Sequence, residues 1–419
     1  MPVRPLPVSD FGWYFDRAKD IANGLGYTLH GHPTALWPPG WPYVLAGVVK
    51  AFGPSVLAGE ITQAILNALT AGFAFLIART LFGWASGVAA GIAYAVLPSA
   101  VEWSATLASE PLYTLLWTMS TYIWVSRSPH RIGSFALSGL LLGAAALVRP
   151  SALLFWAVLL TYVLVVRRER MNLRAWLPAV GAAAVCTVIV VMPTIIRNYH
   201  AFGTLVIVSN NGGVSLYQGN NAQSGGGYTP LTNPAIEKLM DNPRTEAIGD
   251  RLASRLAIDY MKAHPGRELI LAIRKVKSLY EGDGDAIRFT LRSRHFQEPI
   301  SPPWSDRGAV ALLAVNTALY YVVMAFALVG IGLSFARRST SPGYSRWGLV
   351  LALVLYNTAI FAVIGGLDRY RYPTMPYFCV FAGYALAATL ASVRARTRAR
   401  AAVLRTGGLS AQRDSLLHD

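Results

Sequence analysis

The sequence predicts an all-α polytopic membrane protein of about nine transmembrane helices, with interfacial helices and a small mixed extracytoplasmic domain on its outer side. Three observations carry that expectation. Only 14% of the 419 residues are charged against 54% hydrophobic, and the mean hydropathy is +0.40, too little charge to coat a soluble chain of this length. Apolar runs long enough for a bilayer recur along the chain. The net charge of +16 is concentrated in short loops between those runs. That is the positive-inside pattern of a membrane topology, and it argues against a nucleic-acid partner.

The apolar runs fall near 56–82, 84–101, 108–126, 133–148, 151–166, 176–196, 309–335, 346–366 and 372–392. Several are short and rich in Gly and Ala, as tightly packed membrane helices are. The basic stretches "SRSPHR" (126–131), "RRERMNLR" (167–174), "ARRSTSPGYSR" (336–346) and "RARTRAR" (394–400) occupy alternate connections and are assigned to the cytoplasm. The other connections then face outward: 1–54, the stretch from Glu102 to Glu110, the turn at 149–151, the long segment 197–308, and "GLDRYRYP" (366–373). The chain divides into interfacial helices (1–54), a transmembrane bundle (55–196), an outer loop domain (197–308), a second bundle (309–393) and a basic cytoplasmic tail (394–419). In the loop domain, "TLVIVSNNGGVSLYQGNN" (204–221) predicts a β-rich stretch and a polar turn, while 242–280 predicts two amphipathic helices broken at His264–Pro265. The Arg-rich tail reads as disordered near the inner lipid surface. Cys186 and Cys379 lie inside apolar runs and read as buried thiols. "MPVRPLPVSDFGWYF" lacks the continuous apolar core of a signal peptide.

The stretch "SDFGWYFDRAKDIANGLGY" (9–27) places Phe11, Tyr14, Phe15, Ala18, Ile21, Ala22 and Leu25 at helical spacing. Asp16, Arg17, Lys19, Asp20 and Asn23 fill the other side. This predicts an amphipathic helix in the membrane interface, capped by Ser9 or Asp10 and ended by Gly24 or Gly26. A second short helix follows "WPPGWP", with Trp37 and Trp41 at headgroup level. Asp10 has two readings, an N-cap or a general base at the outer boundary. They compete, because a carboxylate held by backbone N–H groups is less basic. Glu110 precedes Pro111 and either favours the start of its helix or does chemistry, since carboxylates near membrane depth are costly. Glu102 reads as a solvated boundary residue. Arg149, Arg197, Arg369 and Arg371 all fall at the outer ends of apolar runs. Each alone can snorkel; sharing one side beside an acid, they suit a phosphate clamp. Lys275 and Lys277 stand on an outer amphipathic stretch with Ile273, Val276 and Leu279 interleaved. An interface-lying helix explains them, and a lipid-phosphate contact is the alternative. His30 and His32 form only a weak metal pair, so no cofactor is assigned and a divalent metal is left open. "GGG" (225–227) lacks the Lys-Ser/Thr of a phosphate loop, and no Ser-His-Asp or Cys-His grouping stands out.

Taken in order, "SDFGWYFDRAKDIANGLGY", "PTALWPPGWPYVLAGVVKAFG", "LPSAVEWSATLASEPLYTLLW", "LSGLLLGAAALVRPSALL", "MPTIIRNYHAFGTLVIVSNNGGVSLYQGNN" and "LDRYRYPTMPYFCVFAGYAL" resemble the GT-C glycosyltransferases of the protein-O-mannosyltransferase type, akin to the bacterial aminoarabinose transferases. The resemblance runs from Asp10 to about residue 390. It implies a multi-pass enzyme of the plasma membrane with an extracytoplasmic active site and a polyprenyl-phosphate-sugar donor. It implies a catalytic Asp at Asp10 and maps Glu110 onto the acid of the second outer loop. The family often has Asp-Glu at the first position, where this chain has Asp10–Phe11. The family also has a membrane span before that loop, whereas no apolar run precedes residue 55 here, so the resemblance implies a chain that starts late.

The mechanism expected from the resemblance is a single displacement with inversion. Asp10 takes the proton of the attacking acceptor, and polyprenyl phosphate leaves as an anion stabilised by Arg side chains. A transporter would need repeats, broken helices and charges buried within spans. A glycan polymerase or ligase shares the large outer segment and is the nearer alternative; the early Asp-bearing helix argues for the mannosyltransferase-like reading.

Overall fold

The computed structural model describes residues 9–162, 173–292, 307–336 and 344–415. The basic stretches at 167–174 and 336–346 lie mostly outside the described residues, as does the end of the run at 151–166. The described residues form eighteen α-helices and one two-stranded antiparallel hairpin, Thr28–Leu29 (β1) with His32–Pro33 (β2). The first part comprises α1 (Ser9–Ala22), α2 (Gly40–Phe52), α3 (Val56–Phe82), α4 (Trp84–Ala95), α5 (Pro98–Trp103), α6 (Glu110–Ser126), α7 (Ile132–Val148), α8 (Phe155–Thr161) and α9 (Leu173–Phe202). The loop domain holds α10 (Gly212–Gly219), α11 (Pro234–Met240), α12 (Glu246–Ala263), α13 (Pro265–Tyr280) and α14 (Asp285–Arg292). Then come α15 (Arg307–Ala336), α16 (Tyr344–Ile364), α17 (Asp368–Arg371) and α18 (Met375–Ser415).

This is a multi-pass helical membrane protein. Among the described residues, five stretches are long and apolar enough to cross a bilayer: Val56–Phe82, Trp176–Phe202, Val310–Ala336, Arg346–Ile364 and Asp368–Arg398. The remaining expected spans are shorter. The run at 84–101 is divided where Leu97 leaves helical geometry and Pro98 opens α5, and α6 and α7 have 17 residues each. Small residues set the helix spacing. A Cβ on Gly139 of α7 would lie 2.1 Å from the Ala183 carbonyl of α9, and one on Gly383 of α18 would lie 2.6 Å from backbone of α4.

The described residues of the loop domain form helices and no strand. Thr204–Val208 finds no partner strand; Asn198 Nδ2 donates to the carbonyls of Val206 and Val208 instead, at 3.2 Å each. The expected break at His264–Pro265 is present, with Pro265 opening α13. The tail after 394, read from the sequence as disordered, continues as helix to Ser415, in keeping with its Ala and Arg content.

Candidate active site

Asp10 lies in the first turn of α1, and its side chain turns away from the helix backbone, so the capping reading does not hold. The apolar face of α1 is covered by protein rather than lipid. Phe11, Tyr14, Phe15 and Ala18 are all buried, α1 packs on α2, and Phe11 meets the edges of Trp103 and Phe289 at 6.2 and 5.2 Å. Trp41, expected among headgroups, is buried and donates its indole N–H to the Leu107 carbonyl at 2.8 Å. The helix ends as expected at Gly24, whose φ is +80.

Three other elements converge on Asp10. Glu110 begins α6, Arg149 ends α7, and Arg369 lies on the short α17. Reciprocal capping fixes α17. Asp368 accepts from the backbone N–H groups of Gly284 (2.6 Å) and Asp285 (3.0 Å) at the start of α14, and Asp285 accepts from the Arg369 N–H at 3.4 Å. Arg369 then bridges the two acids: Nη2 donates to Asp10 Oδ2 at 2.8 Å and Nε to Glu110 Oε1 at 2.7 Å. Arg149 Nη2 donates to the same Glu110 oxygen. Glu110 is fully buried and Asp10 is 9% exposed. Phe11, Trp103, Phe289 and Tyr370 surround the Arg369 guanidinium at 5.4–6.0 Å. Two carboxylates and two guanidiniums balance in charge. Among the described residues, Asp10 Oδ1 and Arg149 Nε are buried with no hydrogen-bond partner, so one acceptor and one donor of the cluster remain uncommitted.

Tyr14 stands one turn along α1 and was not singled out from the sequence. Burial, and then the charges of Asp10 and Glu110, push its phenol well above its ordinary range, so it stays protonated. Its spacing of four from Asp10 on a helix is the sequence signal that points to it.

The remaining candidates lie elsewhere. Arg371 is fully buried and turns to Asp283 (2.9 Å) and to the carbonyls of Leu279 and Gly282. Arg197 donates to the carbonyls of Thr34 (2.7 Å) and Tyr27 (2.6 Å), clamping the hairpin onto α9. It also lines an open cleft of about 240 Å³ with Tyr43, Leu147, Val190 and Pro193. Lys275 is buried and donates to Asn220 Oδ1 (2.6 Å) and the Val363 carbonyl (2.7 Å), and burial pulls its ammonium down to about 8. Lys277 is exposed beside Glu281 at 3.8 Å. Glu102 is not solvated: it accepts from Asn316 Nδ2 at 2.7 Å, and burial pushes its carboxyl up to about 8. His32 meets Arg244 at 3.1 Å. Among the described residues, no three His, Cys, Asp or Glu side chains are grouped to hold a metal.

Residues 36–196 match the family model described as dolichyl-phosphate-mannose-protein mannosyltransferase. This is less than half of the chain; it includes Glu110 and Arg149 and ends before Arg197 and Arg369. The solved oligosaccharyltransferase of Archaeoglobus fulgidus, in its apo form, aligns over 95% of this chain with a TM-score of 0.56 at 11% identity. The fold is of the GT-C type. The chain spans 48% of that oligosaccharyltransferase. The same archaeal protein in complex with an inhibitory peptide and a dolichol-phosphate gives a TM-score of 0.55 at 13% identity, again over 95% of this chain and 48% of its own. ArnT from Cupriavidus metallidurans bound to undecaprenyl phosphate gives 0.42 at 15% identity, over 92% of this chain and 73% of its own. No curated protein sequence matches this chain. In this GT-C fold the Asp10–Arg369–Glu110–Arg149 cluster joins the N-terminal helix to the helix that opens the last span.

Proposed function

We propose that this chain is an inverting membrane glycosyltransferase that moves a hexosyl or pentosyl group from a polyprenyl-phosphate donor to an acceptor on the extracytoplasmic face of the plasma membrane. One observation carries the reading: Arg369 anchors one oxygen of Asp10 and leaves the other, Oδ1, buried and unpartnered. A carboxylate so held is aimed, and its open oxygen can take the proton of an attacking hydroxyl or amine. Glu110 is already shared by two guanidiniums and has no exposed surface, so its part is to position Arg149 and Arg369. Arg149 is 15% exposed at its side chain and keeps a free Nε, which makes it the guanidinium open to the leaving phosphate.

The reaction needs little else from the protein. The acceptor oxygen bonds to the anomeric carbon as the bond to phosphate breaks, the acceptor proton goes to Asp10, and the polyprenyl phosphate leaves as an anion of low basicity. A single displacement on one face inverts the anomeric centre. The shared fold with a protein solved together with dolichol-phosphate, and the matched family model, support a lipid-phosphate donor. The test is a donor screen on purified protein, comparing sugars on polyprenyl phosphate with sugars on polyprenyl diphosphate and reading product configuration by NMR. Turnover of the monophosphate donor with inversion is expected. Turnover of the diphosphate donor alone, or retention, sinks the proposal.

A further inference from the structure

Asp10 is not the only residue of its helix with a buried, unpartnered polar atom. Among the described residues, Trp13 Nε1, and Arg17 Nε and Nη1, are buried without hydrogen-bond partners as well. Asp10, Trp13 and Arg17 stand at i, i+3 and i+7, which places them on one stripe of α1 spanning about 10 Å. The Arg17 guanidinium lies 5.7 Å from the Trp13 ring centre, and the Trp13 ring meets Tyr27 edge-on at 5.6 Å. Its Nη2 is taken by Asp20 at 2.8 Å, which balances the charge and leaves the other two nitrogens free to donate. Interior polar groups are nearly always paired, so three orphan nitrogens beside an orphan carboxylate oxygen on one stripe are a strong departure.

We infer that this stripe is the acceptor subsite and that the acceptor is a neutral saccharide. The inference rests on Asp10 being the base, and deepens that reading by naming the acceptor class. A sugar hydroxyl donates and accepts on the same oxygen. One hydroxyl donates to Asp10 Oδ1 and attacks, while hydroxyl oxygens farther along accept from Trp13 and Arg17. An extended peptide brings as many N–H groups as carbonyls, and beyond Asp10 the orphan atoms of the stripe are all donors, so the peptide N–H groups would go unpaired. An anionic acceptor is disfavoured because Asp20 already neutralises Arg17. The half-buried Trp13 ring suits the apolar face of a sugar ring.

The test uses the full chain in nanodiscs, with methyl mannobioside, methyl cellobioside and a serine-containing tetrapeptide as probes in saturation-transfer NMR. At least one disaccharide is expected to bind, with affinity falling about 5- to 10-fold in Trp13→Phe, which keeps the ring and removes the N–H, and in Arg17→Gln. Thermal melts of both variants verify folding. Binding of the peptide in place of the disaccharides, no disaccharide binding, or affinity unchanged in both folded variants would overturn the inference. Donor turnover in Asp10→Asn is measured separately. A chain whose turnover needs Asp10 but whose disaccharide binding ignores Trp13 and Arg17 keeps the proposed reaction and loses this subsite.

Discussion

Replacing Arg369 with methionine removes the group that ties Asp10 to Glu110 among the described residues. Glu110 keeps Arg149 as a partner, so the damage falls on Asp10, left 9% exposed with neither oxygen paired. Breaking a buried ion pair by deleting one member costs about 3–5 kcal/mol. For a chain of 419 residues the unfolding entropy is on the order of 0.9 kcal/mol/K, so Tm falls by roughly 3–6 °C. The assay is thermal unfolding in nanodiscs at one scan rate, because membrane proteins unfold irreversibly and the midpoint then depends on rate. A second substitution sharpens the test. Asp10→Asn in the Arg369→Met background removes the stranded charge and restores about 1–3 kcal/mol of the loss. If Arg369→Met melts with the wild type, or if Asp10→Asn deepens the loss, Arg369 is not the bridge described.

Other outcomes follow from the same geometry. Glu102 has a folded value near 8, above its unfolded one, so its contribution to stability is full at low pH and is lost as pH rises toward 8. Glu102→Gln, which keeps an acceptor for Asn316, therefore gains about 1–2 kcal/mol on the wild type between pH 5 and 8, after solvent screening of a half-buried group; melts across that range that run parallel refute this. Glu246 accepts from Ala35 N–H, Thr34 Oγ1 and Asn210 Nδ2, which fastens the hairpin to α12. Glu246→Ala should cost about 2–3 kcal/mol and speed amide exchange over 28–36, and unchanged exchange there would contradict the fastening. Lys277→Ala should leave both Tm, within about 1 °C, and donor KM unchanged, since the side chain stands exposed; a raised KM would return it to the site.

Much of the architecture was legible because apolar length and loop charge are one-dimensional signals. The shared side of Glu110, Arg149 and Arg369 was legible for the same reason: these three sit at same-side ends of apolar runs, whereas Asp10 precedes every such run and was pointed to by the family resemblance. Side-chain direction was not legible. Arg369 and Arg371 differ by two positions on one short helix and so point to opposite sides, the first to the two acids and the second to Asp283. Lys275 looked like a surface cation on an amphipathic helix, yet the end of α16 and Gly366 pack over it, and Asn220 and the Val363 carbonyl take its hydrogen bonds. The apolar face of α1 looked lipid-facing because periodicity reports a buried face without naming what buries it. The β-branched run at 204–208 promised a strand, and among the described residues no second strand pairs with it.

The most direct measurement is single-turnover sugar transfer from a polyprenyl-phosphate donor by the wild type and by Asp10→Asn in nanodiscs, with donor binding measured on the same samples. The account predicts a rate lower by about 10²- to 10⁴-fold in the variant, with donor affinity kept within about 3-fold. A variant that binds donor and transfers sugar at the wild-type rate would contradict it.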